Sequence, residues 1–250
     1  MNIAVTGSSG NLGSVLIEST EKKDSIFFAI PSEIYRPEFD YLKIIKFFKD
    51  NNISTIIHCA SLTDVDFAEL NQDFAYNSNV SLTKQFVQLS KNLDLKFVFI
   101  SSTGVYGSDV CVEGLSNAES LEPNPLNIYH STKLQAEEIV CSMLPNSLIL
   151  RVGWLFGSIS PDGKDFVKSR IKEMLKLSPQ DTYFANEEQF GNPTSSQFVK
   201  LCITLLLKNN ANGIFNCVNT GEVSRFQFIK KIKEICALDF ILVPSSSISF

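Results

Sequence analysis

The chain has 250 residues, 44 % hydrophobic and 20 % charged, and a net charge of −5. That length supplies one large domain or a two-lobed subunit with a substantial core. The acidic balance leaves no bulk basic face for nucleic acid, and the longest apolar runs, such as residues 201–207 with Thr204 inside, fall far below the roughly 18 residues of a membrane span.

Residues 2–5 are short, apolar and soon followed by Gly7, the pattern of a buried strand. Residues 13–20 carry an amphipathic helical pattern. Residues 26–30 are a second strand, closed by Pro31. Residues 41–50 place Leu42, Ile45 and Phe48 on one helical face, with Asp40 as the N-cap. Residues 55–59, 97–100 and 147–152 are further strands. Residues 81–92 and 128–143 are helices, and 214–218 a last strand. The alternation predicts an α/β fold: a Rossmann-type, doubly wound parallel sheet with helices on both faces. The polar stretch 109–127, with Pro123 and Pro125, reads as an active-site loop, since strands continue on both sides. After Val152 the pattern loosens. Residues 1–152 and about 194–220 are expected to form the nucleotide-binding domain, and 153–193 with 221–250 a smaller C-terminal lobe.

The six cysteines, Cys59, Cys111, Cys141, Cys202, Cys217 and Cys236, form no CxxC pair and no Cys/His set with zinc spacing. No metal site is expected. Free, partly buried thiols point to a reducing compartment. No basic segment precedes the first apolar run, so it does not read as a secretion signal, and a soluble, cytoplasmic protein is expected. A homodimer is the default assembly.

Thr6-Gly7-Ser8-Ser9-Gly10-Asn11-Leu12-Gly13 fits G-x-x-G-x-x-G between a strand and a helix. Gly7 permits the turn out of the strand, Gly10 admits a pyrophosphate to the backbone, and Gly13 brings the helix close to the strand. The helix N-terminus favours the anion. The motif therefore predicts a dinucleotide held by Gly7, Ser9, Gly10, Asn11, Leu12 and Gly13. An acid at the end of the second strand favours NAD and an arginine favours the 2′-phosphate of NADP. Glu33 lies 20 positions after Gly13 and Arg36 follows closely. The cofactor is thus NADPH or NADH, with a lean to NADPH.

Tyr129 and Lys133 form a Y-x-x-x-K pair, one helical turn apart on a shared face. A free phenol, with a pKa of about 10, is a poor acid-base group near neutrality. A nearby ammonium lowers that value and lets Tyr129 exchange a proton at a carbonyl or hydroxyl carbon. Residues 100–107, Ile-Ser-Ser-Thr-Gly-Val-Tyr-Gly, end a strand on the side where such sheets bind ligands. A serine hydroxyl there has the chemistry to hold the reacting oxygen beside Tyr129, and is equally at home satisfying a turn.

In this order the motifs resemble the dTDP-4-dehydrorhamnose reductase family of extended short-chain dehydrogenase/reductases. Residues 58–69 are similar to its N-A-A-x-x-T-x-V-D-x-A-E, and Asn79-Val80-Ser81-Leu82-Thr83 to N-V-x-G-T. The stretch from Tyr129 resembles Y-G-x-T-K-x-x-G-E. Residues 151–157 resemble R-T-S-W-V-Y-G, and residues 189–194 Q-F-G-x-P-T. The resemblance implies that Tyr129 protonates the sugar oxygen, Ser102 helps polarise the carbonyl, and Lys133 supports both Tyr129 and the cofactor. Ala60 and Ser61 would line the cofactor, and Thr63, Ser102, Trp154 and Gln189 the substrate. It implies hydride transfer from NADPH or NADH to a 4-keto-6-deoxy nucleotide sugar, yielding a deoxyhexose donor for surface polysaccharide.

Ser102 and Thr103 stand where the family has threonine and aspartate, as in nucleotide-sugar epimerases, and Leu82 replaces a glycine. The family's R-P-x-N-S segment is missing, so a shortened substrate lobe is expected. Two rival readings follow from these departures: a nucleotide-sugar epimerase or epimerase-reductase with retained NAD, and a cofactor-binding regulatory subunit without catalysis.

Overall fold

A computed structural model describes residues 1–18, 25–107, 119–160 and 165–246. In chain order the elements are β1 (Asn2–Thr6), α1 (Asn11–Ile17), β2 (Ile26–Ala29), α2 (Tyr41–Asp50), β3 (Thr55–His58), α3 (Val65–Leu70), α4 (Gln72–Tyr76), α5 (Leu82–Asn92), β4 (Lys96–Ser102), α6 (Ile128–Met143) and β5 (Leu148–Val152). They continue as β6 (Trp154–Phe156), α7 (Phe166–Met174), β7 (Thr182–Asn186), β8 (Phe190–Gly191), β9 (Pro193–Ser195), α8 (Ser196–Lys208), β10 (Gly213–Cys217), β11 (Val223–Ser224), α9 (Arg225–Ile235) and β12 (Ile241–Ser245). Residues 19–20 of the first predicted helix, residues 109–118 of the predicted loop, Cys111, and residues 247–250 lie outside the described residues.

Six strands form one parallel sheet in the order β10-β5-β4-β3-β1-β2. The chain winds outward from β1 in both directions, so the switch point lies between β1 and β3, where such sheets bind ligands. Alternate residues face opposite layers. Ala4, Ile56, Phe97, Phe99 and Ile149 meet α2, α5 and α6 through Ile44, Phe48, Phe86, Ala136 and Val140. Ile3, Val5, Ile57, Val98, Leu148 and Leu150 meet α1 and α8 through Leu12, Leu16, Val199, Ile203 and Leu207. The central residues of these strands are apolar on both faces because both faces are covered.

The predicted elements recur with ends shifted by at most two residues, except the first helix, read at 13–20 and found at Asn11–Ile17. Asp40 caps α2 as expected, its Oδ1 accepting from the Lys43 N–H at 3.0 Å. The predicted helix face is corrected: Ile44 and Phe48 are the fully buried residues of α2, whereas Leu42 is 81 % exposed. The 3.6-residue period admits both stripes, and contact with the sheet selects between them. Beyond Val152 the structure supplies elements that periodicity left blank. Met174, Ala185, Ile229, Ile232 and Phe240 form a separate core joining α7, β7, α9 and β12. The strands outside that core, β6, β8, β9 and β11, have two or three residues each, too few to show alternation.

One buried contact fixes α6 against the sheet. Its inward stripe is Thr132, Lys133, Ala136, Glu137 and Val140. Glu137 forms a two-point ion pair with Arg151 on β5, Nη2–Oε2 2.7 Å and Nε–Oε1 3.1 Å, with both side chains 3 % exposed. The guanidinium lies 4.7 Å over the Tyr106 ring, and the Tyr106 hydroxyl donates to Asn216 Oδ1 on β10 at 2.8 Å. Among the described residues no helix is long and apolar enough to cross a membrane.

Removing one partner leaves a buried charge alone. Glu137→Gln or Arg151→Met is expected to cost ~3–5 kcal/mol, read as a lower urea midpoint. Replacing both by apolar residues should recover most of that loss; a double variant as unstable as either single one would contradict the assignment.

Candidate active site

The carboxyl ends of β1 and β3 are bound together by one threonine. Thr6 Oγ1 accepts from the N–H groups of Cys59 at 3.1 Å and Ala60 at 3.0 Å, and meets His58 Nδ1 at 2.9 Å. Gly7 follows in a left-handed conformation, φ +63°, and a Cβ there would fall 2.8 Å from the Ala60 nitrogen. Only glycine fits such a turn without strain. Gly10 N–H closes onto the Gly7 carbonyl at 2.9 Å. A Cβ on Gly13 would run into that same carbonyl. The close approach of Gly13 is therefore to the turn rather than to the strand.

No side chain caps α1. Ser9 is exposed. Leu12 belongs to the core. Asn11 is spent on distant segments of the chain: its Nδ2 donates to the Leu155 carbonyl at 3.2 Å and its Oδ1 accepts from Ser196 Oγ at 2.6 Å. Asn11 and Leu12 thus have only backbone groups to offer a ligand.

The Gly7 N–H donates to the hydroxyl of Tyr35 at 3.1 Å. Arg36, next in sequence, holds a buried Nη2 with no hydrogen-bond partner. Glu33 is exposed. An orphaned guanidinium nitrogen beside the glycine turn fits an anionic group and does not fit a bare ribose hydroxyl pair as well. The residues present therefore suit a dinucleotide, with an extra phosphate at Arg36.

α6 packs on β4 and on the turn that follows it. Ser102, at the end of β4, accepts from the Gly104 N–H through its Oγ at 3.1 Å. The hydroxyl proton of Ser102 is left for another acceptor. Lys133 is 3 % exposed, with Nζ 4.1 Å from the centre of the Phe99 ring. Burial pulls its pKa down to about 8, against the opposing pull of Glu137. The Tyr129 ring lies tilted against that of His130, ring centres 4.8 Å apart, and the His130 imidazole fills the space beside Gly104. Burial, and then the Lys133 charge, hold His130 down to about 4.

The predicted lowering of the Tyr129 phenol is corrected. Burial pushes it up to about 12. The ammonium sits over Phe99 and is itself desolvated, so loss of water outweighs its attraction for a phenolate.

Asn79, in a π-helical turn at Asn77–Ser81, is a residue to which the sequence assigned no role. It is 1 % exposed. Its Oδ1 accepts from Leu62 N–H at 2.7 Å and Ser61 Oγ at 2.9 Å, and its Nδ2 donates to Thr132 Oγ1 at 2.9 Å. It fastens the loop after β3 to α6 between Tyr129 and Lys133. The N-V-x-G-T match was its only signal. Ser61 is thus held within this network, Ala60 is buried beside Gly7, and Thr63 lies exposed beyond them.

Trp154 and Gln189 meet through a third residue that the sequence did not single out. Arg225, first in α9, lays its guanidinium 3.5 Å from the Trp154 ring centre. Its Nε donates to Gln189 Oε1 at 3.1 Å and its backbone N–H to the Gln189 carbonyl at 3.0 Å. Trp154 also lies against Gly191, where any Cβ would collide with the indole.

The family described as RmlD substrate binding domain matches residues 1–247. A probable low-salt glycan biosynthesis reductase of Haloferax volcanii is 26 % identical, over 97 % of this chain and 82 % of its own length. A dTDP-4-dehydrorhamnose reductase of Mycobacterium tuberculosis is 25 % identical, over 99 % of this chain and 80 % of its own. The crystal structure of dTDP-4-dehydrorhamnose reductase from Bacillus anthracis in complex with NADP superposes with a TM-score of 0.87 at 26 % identity. It covers 98 % of this chain and 85 % of that one.

The buried ammonium makes a stability prediction. Below about pH 8 Lys133 is protonated in both folded and unfolded chains, and the fold carries its full desolvation cost. Between about 8 and the unfolded value near 10.5 the folded chain binds fewer protons, so stability rises with pH. Lys133→Met should therefore be more stable than the parent at neutral pH, by about 3 kcal/mol, and the gap should close as pH rises to about 10.5. Urea titrations across that range check it.

Proposed function

The chain belongs to the RmlD substrate binding domain family, and from that premise we propose that it reduces a 4-keto-6-deoxy nucleotide sugar with a nicotinamide cofactor, NADPH in preference to NADH. The reading is supported by the packing of α6, which carries Tyr129 and Lys133, on β4 and on the turn that follows Ser102, at the carboxyl side of a sheet in which β1 runs into the Gly7 turn. When bound, the reduced cofactor supplies a hydride to the carbonyl carbon. Gly7, Ser9, Gly10 and Gly13, with the backbone of Asn11 and Leu12, would hold its pyrophosphate; Ala60, Ser61 and Lys133 would line it.

The chain's own residues manage the oxygen. Ser102 accepts from Gly104 N–H, so its hydroxyl donates to the substrate carbonyl. Tyr129, kept neutral by burial, carries the proton that the sugar oxygen takes as it gains alkoxide character. Lys133 offsets the phenolate charge left behind. Trp154, Gln189 and Thr63 would line the sugar, which assigns residues 153–193 and 221–250 to the substrate lobe and residues 1–152 and about 194–220 to the cofactor domain. The product would serve as a deoxyhexose donor for polysaccharide. The five described cysteines are free, which supports a cytoplasmic setting, and a homodimer is the proposed assembly, checked by sedimentation.

Tyr129→Phe should lower kcat for a dTDP-4-keto-6-deoxy sugar by roughly 10²–10⁴-fold with cofactor affinity kept. A parent protein that turns over no 4-keto nucleotide sugar with either cofactor sinks the reading. Arg36→Gln should raise the KM for NADPH about tenfold and leave that for NADH within about twofold, given the worth of one charged contact to phosphate. Equal losses for both cofactors would place Arg36 elsewhere.

A further inference from the structure

We propose that Arg225, with Arg170 behind it, is the anchor for the diphosphate of the nucleotide-sugar substrate. This assignment rests on the reductase reading above. Three edges of the Arg225 side chain are accounted for. Its face is stacked on Trp154, its Nε is bonded to Gln189, and its other flank lies 4.7 Å from the centre of the Phe166 ring. These contacts hold the guanidinium rigidly. They leave both terminal nitrogens with no hydrogen-bond partner among the described residues, and neither is sealed from solvent. A planar fork with two parallel N–H edges free is the geometry that grips a phosphate at two points.

The charge around it is out of balance. No carboxylate pairs with Arg225 among the described residues. The charged group nearest in effect is Arg170, whose guanidinium lies 5.6 Å from the centre of the same Phe166 ring. Burial and the Arg170 charge together pull Arg225 down to about 10. Arg170 has one acid, Glu173 at 2.9 Å, and also donates to the Tyr183 hydroxyl at 3.1 Å, while its Nε is buried without a partner. Arg170 thus has one half-exposed carboxylate, and Arg225 has none among the described residues. Partly buried cations without counter-charge are costly, and an anion is what relieves them.

The anion's identity follows from position. Arg225 touches Trp154 and Gln189, the residues the resemblance sets beside the sugar. The cofactor's pyrophosphate has its own cradle at the Gly7 turn, on a different element. A nucleoside diphosphate sugar carries two adjacent phosphates, matching two adjacent guanidinium groups.

The probe is thymidine diphosphate, titrated calorimetrically into the full chain with NADP present, against thymidine alone. Arg225→Met removes the fork and leaves an apolar side chain on the same backbone. It should weaken thymidine diphosphate by roughly 10–100-fold while thymidine and NADPH bind as before, and Arg225→Lys should fall between. Unchanged thymidine diphosphate affinity in a folded Arg225→Met chain overturns the assignment. Equal weakening of thymidine diphosphate and thymidine also overturns it, making Arg225 a packing latch for Trp154. Should Arg225→Met not fold, Arg225→Lys and the salt dependence of the parent decide. Binding that does not weaken between about 50 and about 500 mM salt rules the anchor out. A parent that binds thymidine diphosphate through Arg225 yet reduces no keto sugar upholds the anchor and fails the reductase reading. Turnover with KM unchanged in Arg225→Met does the reverse.

Discussion

The ion pair between Glu137 and Arg151 is the constraint on which the site depends. It is buried, two-pointed and roofed by Tyr106. It ties α6 to β5, and through Tyr106 and Asn216 to β10. Tyr129 and Lys133 lie two turns and one turn before Glu137 on the same helix, so their depth over the sheet is set by where that pair locks. Asn79 supplies the second tie, from the loop after β3 to Thr132. Two polar fastenings on neighbouring turns leave α6 little freedom to slide, which a purely apolar stripe would permit more readily.

Desolvation then sets the chemistry. Lys133 rests over Phe99 and falls to about 8, Tyr129 rises to about 12, and His130 drops to about 4. Each group is pushed toward its uncharged form, as burial requires. His58, below them, is held well under its ordinary value for the same reason, and is satisfied by Thr6 and Thr83. The crevice is thus a dry, polarisable place. In the proposed reaction a neutral phenol there is the proton donor, and a developing oxyanion would draw more from Ser102 and Lys133 than it would in water.

The part of the chain around the α7, β7, α9 and β12 core is built differently. Its core is small, and its entry is built around one aromatic ring. Trp154 lies between Gly191 and the Arg225 guanidinium, and Gln189 holds Arg225 in turn. Asn11 bridges from the glycine helix to Leu155 and Ser196. The start of the glycine helix and the β6 segment are therefore fixed to each other by a direct hydrogen bond, which under the proposed reaction keeps substrate and hydride donor in register.

Much of this was legible from residue order alone. The β1 strand, its glycine turn and helix, the Asp40 cap and the span of α6 follow from local rules of sterics, capping and period, so the sequence by itself determined the doubly wound sheet and the Y-x-x-x-K pair. It could not decide which stripe of α2 faces inward, since Leu42 and Ile44 both fit a helical period. It pointed the wrong way on the Tyr129 phenol, because a pair spacing carries no information about water. Asn79, Glu137 with Arg151, and Arg225 acquired roles only through partners 14 to 71 positions away. Local sequence encodes backbone geometry; burial and long-range contact, which set charge and position in the site, exist only once the chain has folded.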